Sequence, residues 1–155
     1  MSIQVVTAVI ERADRRLLIC QRRHDDSSPL KWEFPGGKVE SGESLEQALA
    51  RELREELDVT LLRSLPISCG EHSYGGGMAT LLITFFAVSI LESELHPGPF
   101  ERVAWVLPRE LGDYDFLTAN RRLIAELATG RIKPAELLAA SPATPPPPTP
   151  PPEGH

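Results

Sequence analysis

Three glutamates within five residues, Glu52, Glu55 and Glu56, form the grouping in this sequence whose types and spacing could do chemistry. They close a longer pattern: Gly37, five residues, Glu43, seven residues, then Arg51-Glu52-Leu53-Arg54-Glu55-Glu56-Leu57-Asp58-Val59. On an α-helix, at roughly 100° per residue, the three glutamates fall in a wedge of about 100°, and Leu49, Leu53 and Leu57 occupy the adjoining wedge. One stripe packs while the next presents carboxylates. Such a helix is costly without a counter-charge, because Glu52 and Glu56 repel at i,i+4 by about 0.2 to 0.5 kcal/mol and all three stand where the helix dipole disfavours anions. Clustered carboxylate oxygens are hard ligands of the kind Mg²⁺ takes, together with waters and substrate phosphates. The pattern implies a metal-bridged phosphate site; the alternative is a solvated acidic face balanced by Arg51 and Arg54.

The elements that must hold these residues are readable from the same chain. Ser44-Leu45-Glu46-Gln47 has the form of a capping box, and the Leu, Ala, Glu, Gln and Arg that follow predict a helix over 44–57. Val5, Val6, Ala8, Val9 and Ile10 form an apolar strand, and Leu17 to Cys20 is expected to be its hairpin partner. Arg22 to Lys31 is polar, contains Pro29, and reads as a surface loop leading to Trp32-Glu33-Phe34-Pro35-Gly36-Gly37. Thr80 to Leu91, dense in β-branched and aromatic residues, reads as a central strand buried on both faces. Val103 to Leu107 is a further strand, and Leu123, Ile124, Leu127 and Ala128 give 118–128 the spacing of a second amphipathic helix. Gly75-Gly76-Gly77 lacks a GxxxxGK pattern and reads as a hairpin turn, not a phosphate loop.

Composition narrows the class. With 41% hydrophobic and 25% charged residues, the 155-residue chain has the balance of a single globular domain. A formal net charge of -6 argues against a broad basic face for duplex nucleic acid or anionic lipid. Cys20 and Cys69 lack CxxC spacing and read as reduced thiols, and His24, His72 and His96 form no ligand-spaced group. The first residues carry no basic-then-apolar leader, and no apolar run reaches membrane length, so a cytoplasmic protein is expected. From Ser141 the sequence is low-complexity and Pro-rich, so residues 1–140 are taken as the domain and 141–155 as a disordered tail. Such a tail is a plain terminus or a docking segment for a domain that binds the polyproline II form.

The stretch from Gly37 to Val59 resembles the Nudix box, in which a glycine, a glutamate, an Arg-Glu-aliphatic triplet and a Glu-Glu pair recur at these spacings. The departure is Asp58, where the family usually has a glycine in a left-handed conformation. The resemblance implies a Nudix-type α/β/α sandwich with a mixed β-sheet between helices, and hydrolysis of a phosphoanhydride bond in a nucleotide substrate with Mg²⁺, or Mn²⁺ in its place. It implies that Glu52, Glu55 and Glu56 hold metal, with Glu52 also a candidate to activate water, and that Gly36 offers its carbonyl to a metal. Arg51 would orient the glutamates, and Glu43 would fix the loop against the helix.

Gln21-Arg22-Arg23, Trp32 to Lys38, and Asp115-Phe116-Leu117-Thr118-Ala119-Asn120 are similar to the MutT-like branch, which points to nucleoside triphosphates, 8-oxo-dGTP among them. In that branch the matching Asn reads the base, which makes Asn120 the specificity candidate; otherwise it caps the following helix. Gly37 and Lys38 join the substrate-binding set. Arg23 contacts phosphate or base, or is solvated surface, and Phe34 and Phe116 stack on the base or are core. A loop glutamate common in the branch is missing near Pro99, and Glu101 either replaces it or does not. CTP, ADP-sugars and dinucleoside polyphosphates remain as other substrates, and a non-catalytic nucleotide-sensing domain as another class, though such domains usually lose the glutamates kept here.

Overall fold

Residues 6–10 and 17–21 are buried on both faces of their strands, and the fold follows from finding partners for the edges of those strands. The computed structural model describes residues 2–73, 79–93 and 95–142. Strand β1 (Ser2–Ile10) runs parallel to β6 (Thr80–Ile90) along its whole length, and antiparallel to the short β4 (Gly36–Lys38) on its other side. With β5 (Leu61–Ser73) these make a mixed four-stranded sheet in the order β4-β1-β6-β5. The expected central position of the 80–91 segment is thus observed.

The expected hairpin between the first two strands is not. Strand β2 (Leu17–Gln21) is bridged to Glu11, just past the end of β1, through Leu17, and then joins a second, three-stranded sheet between β3 (Trp32–Glu33) and β7 (Arg102–Val106). The reason is edge occupancy: β4 and β6 already take both sides of β1, so β2 must find its hydrogen bonds elsewhere. Alternation along β1, β2 and β6 then builds two apolar layers. Val6, Ala8, Ile10, Leu18, Cys20, Phe86 and Val88 face one way, and Val9, Leu17, Ile19, Ile83 and Phe85 face the other.

Helix α1 (Leu45–Leu57) covers the first layer with Ala48, Leu49, Leu53 and Leu57. Burial of each leucine contributes about 2 kcal/mol. Ser44 and Gln47 form the expected reciprocal capping box, and Asp58 ends the helix in the left-handed conformation (φ 54°, ψ 43°) that the family's glycine would adopt freely. Helix α2 (Arg121–Ala128) covers the second layer with Leu123, Ile124 and Leu127, entered through a 3₁₀ turn at Thr118–Asn120 where a continuous helix was expected. The result is an α/β fold with helices on both sides of the strands.

Strand β5 and helix α3 (Pro134–Ala140) are among the elements with no counterpart in the sequence reading. Strand β5 contains Pro66, which an edge strand with an irregularity at 66–68 accommodates. Helix α3 starts on a proline and packs on β5 and β6; Arg63 Nη2 donates to the carbonyls of Leu138 and Ser141 at its end. The glycine-rich turn at 75–77 and the Pro-rich residues 143–155 lie outside the described residues. Among the described residues no helix is long and apolar enough to cross a membrane.

Candidate functional site

The glutamate helix meets the sheet at a pair of glycines, and the fit leaves no room for side chains. Gly36 pairs with Thr7 across the sheet, and a Cβ there would run into the Val6 carbonyl. A Cβ on Gly37 would run into the Glu52 carboxyl group. Glu56 Oε1 accepts the Gly36 N–H at 3.1 Å. The glycines therefore let two carboxylates of α1 lie directly on β4.

Arg51 organises what surrounds them. Its guanidinium donates to both Glu43 oxygens (2.7 and 3.0 Å), to Glu52 Oε1 (2.9 Å), to Glu55 Oε2 (3.3 Å) and to the Lys38 carbonyl (3.0 Å). Glu43 in turn accepts the Glu40 N–H at 2.9 Å. One planar fork thus ties the 38–43 loop to the helix and aims Glu52 and Glu55.

The charge balance is strained in one direction. Burial pushes the Glu56 carboxyl up to about 8, with Glu52 and Glu33 adding repulsion, and the Gly36 N–H opposes only part of it. Glu52 is also raised, chiefly by burial, against the pull of Arg51, whereas the Arg51 bond lowers Glu43. Glu33, paired with Arg22 at 3.0 Å, is raised by burial too. Partly buried carboxylates that repel one another suit a divalent cation with oxygen ligands, so the donor set fits the metal that the sequence implies. Among the described residues no three acidic, His or Cys side chains already converge; Glu55 is 59% exposed and held by Arg51, and would swing away from it to join Glu52 and Glu56.

A pH dependence follows. The folded, metal-free protein keeps a proton on Glu56 that the unfolded chain releases above its ordinary carboxylate range, so this stabilisation is complete below about pH 4.5 and is lost as pH rises towards about 8. The Tm of metal-free protein is expected to fall across that window, Glu56→Gln to flatten the fall, and a divalent cation to reverse it at the upper end. A Tm that climbs with pH through the window would contradict the electrostatics.

Beside the carboxylates opens a cleft of about 300 Å³. Of the substrate residues expected from sequence, Phe34, Gly37, Lys38 and Asn120 line it, as does Gly36. Asn120 is 4% exposed, and although it precedes α2 its side chain makes no capping bond to that helix. Phe116 does not line the cleft; it is buried, and its ring packs 5.7 Å from that of Phe34, itself fully buried. Arg23 points away, half exposed and paired with Asp25, while its neighbour Arg22 lines the cleft. Glu101 is turned to His24 at 3.6 Å.

Arg22, Glu33, Lys31 and Thr7 are cleft residues that the sequence reading passed over. A charge between two aromatics in Trp32-Glu33-Phe34 was the available signal for Glu33, since a carboxylate in a buried strand is rarely placed without use. A larger hollow, about 630 Å³, lies between the 11–15 turn and α3, and none of the glutamates of α1 reaches it.

Comparison with known proteins agrees with this arrangement. A family model described as the NUDIX domain matches residues 1–127. The CTP pyrophosphohydrolase of Escherichia coli K12 is 33% identical over 135 residues, covering 86% of this chain and 98% of that protein. The 8-oxo-dGTP diphosphatase of the same strain is 32% identical over 125 residues, covering 81% and 95%. A solved MutT structure, from work on Aliivibrio salmonicida and Vibrio cholerae, is 30% identical with a TM-score of 0.67, covering 82% of this chain and 96% of that one.

Proposed function

This chain belongs to the Nudix family, in its MutT-like branch, and on that footing we propose that it hydrolyses nucleoside triphosphates to the monophosphate and diphosphate, with 8-oxo-dGTP as a candidate substrate. As a Nudix hydrolase it acts on nucleotides, and enzymes of this family generally use a divalent metal; Mg²⁺ is the proposed ion, with Mn²⁺ as the substitute. The observation that carries the reading is the juxtaposition of mutually repelling, partly buried carboxylates on β4 with a cleft that ends on a buried, unpartnered Asn120 amide.

Glu52, Glu55 and Glu56, with the Gly36 carbonyl, would hold the cation. When bound it neutralises phosphate charge, acidifies a water and stabilises the leaving oxygen. The chain's own residues do the rest. Arg51 keeps Glu52 and Glu55 oriented, and Glu43 fixes Arg51. Glu52, its proton affinity raised by burial, would take the proton of the attacking water. Arg22, Lys31 and Lys38 bring positive charge to the cleft that receives the phosphates.

Likeness to the CTP pyrophosphohydrolase over 86% of the chain favours a pyrimidine triphosphate as the second reading. The test is diphosphate release with Mg²⁺ from the canonical NTPs and dNTPs, 8-oxo-dGTP, ADP-ribose and a dinucleoside polyphosphate. Preference for 8-oxo-dGTP supports the first reading and preference for CTP the second. No release from any compound would leave a nucleotide-sensing domain.

Asn120→Ala is expected to raise KM about tenfold for the preferred nucleotide and to flatten the ranking among bases, with the same Mg²⁺ requirement, because the base loses the buried amide that would pair with it. A loss of equal size on every nucleotide would count against base reading.

A further inference from the structure

Among the described residues two buried side-chain polar atoms have no hydrogen-bond partner: Asn120 Nδ2 and Thr7 Oγ1. Both residues line the same cleft. Native interiors rarely leave such groups unpaired, and two orphans at one cavity point to a ligand that completes them. Thr7 is 7% exposed and sits mid-strand, with Val5 and Val9 as its neighbours on the same side of β1. Valine has nearly the shape of threonine and would leave no unpaired hydroxyl, so packing and strand propensity do not account for the oxygen.

We infer that Thr7 Oγ1 is a nucleobase contact, acting beside Asn120 to select the base that enters the cleft. This deepens the nucleotide reading above and rests on it. Asn120 Nδ2 only donates, and the Thr7 hydroxyl donates or accepts. The matching base edge offers an acceptor to the first and either partner to the second. A carbonyl next to a ring nitrogen, as on guanine-type and cytosine-type bases, meets both demands. Thr7 also stands opposite Gly36, whose N–H holds Glu56, so the base contact and the carboxylates are joined through one strand pairing.

The test uses Thr7→Val and Thr7→Ser in the full chain. It reads Tm without ligand, kcat and KM over GTP, dGTP, 8-oxo-dGTP, CTP and ATP, and Kd for the matching monophosphates. Thr7→Val is expected to hold or raise Tm, to raise KM and monophosphate Kd for the preferred base about fivefold to tenfold, and to change kcat less than about twofold; Thr7→Ser keeps the wild-type KM. A Tm that falls in Thr7→Val with KM and Kd unmoved would assign the hydroxyl to the fold alone and overturn the inference. So would an equal rise in KM for every base. Wild-type protein that hydrolyses no nucleotide defeats the underlying reading and this inference with it, whereas wild-type turnover with an unresponsive Thr7→Val defeats the inference alone.

Discussion

Glu52→Gln is expected to lower kcat by at least about a thousandfold with Mg²⁺, while the protein stays folded. The substitution keeps the shape of the side chain against Gly37 and removes its charge. A neutral amide is a poor ligand for a hard cation and cannot take a proton from water. The fold survives because Arg51 retains both Glu43 bonds, at 2.7 and 3.0 Å, and because burial already disfavours charge at position 52. Tm without metal should therefore hold or rise, and the Tm gain on adding Mg²⁺ should shrink. Wild-type turnover in this variant would remove Glu52 from the chemistry.

Arg51→Ala should cost about ten- to a hundredfold in kcat and lower Tm, a different signature from that of Glu52. The side chain is 22% exposed and touches Glu43, Glu52, Glu55 and the Lys38 carbonyl at once, so its loss frees the 38–43 loop and leaves Glu52 and Glu55 without their cation. Arg51→Lys keeps the charge but not the planar fork. It should recover part of Tm and less of kcat. Lysine restoring full kcat would show that charge alone orients the glutamates.

The parts of this molecule that were legible in its sequence are those where chemistry or solvation restricts residue type at short range. The glutamates of α1 could be placed because a helix fixes their spacing, and Ser44 with Gln47 announced where that helix begins. Strands β1, β2 and β6 declared themselves by apolar runs. What could not be read depends on contacts between distant segments. That β2 leaves β1 follows from β4 and β6 having filled both edges, which no local pattern records. Strand β5 alternates Leu65, Ile67 and Cys69 with Pro66, Ser68 and Gly70, and the Pro and Gly that an edge strand tolerates read locally as loop residues.

The same limit applied to side chains. Arg22 and Arg23 are indistinguishable as letters, and only the course of the chain beyond β2 decides that the first faces the cleft and the second faces water. Thr7, a β-branched residue in an apolar strand, looked like any other strand former until its hydroxyl proved unpaired.

Strand β4 is three residues long and has no slack. Its Gly36 is held by Glu56 on the helix side and is in register with Thr7 on the sheet side. For a base seated against Thr7 and Asn120, such a strut works as a ruler: it sets how far along the polyphosphate the carboxylates reach. The bond that is cut would then be chosen by distance from the base and not by the number of phosphates beyond it, so a triphosphate and a tetraphosphate of the same nucleoside should both yield the monophosphate.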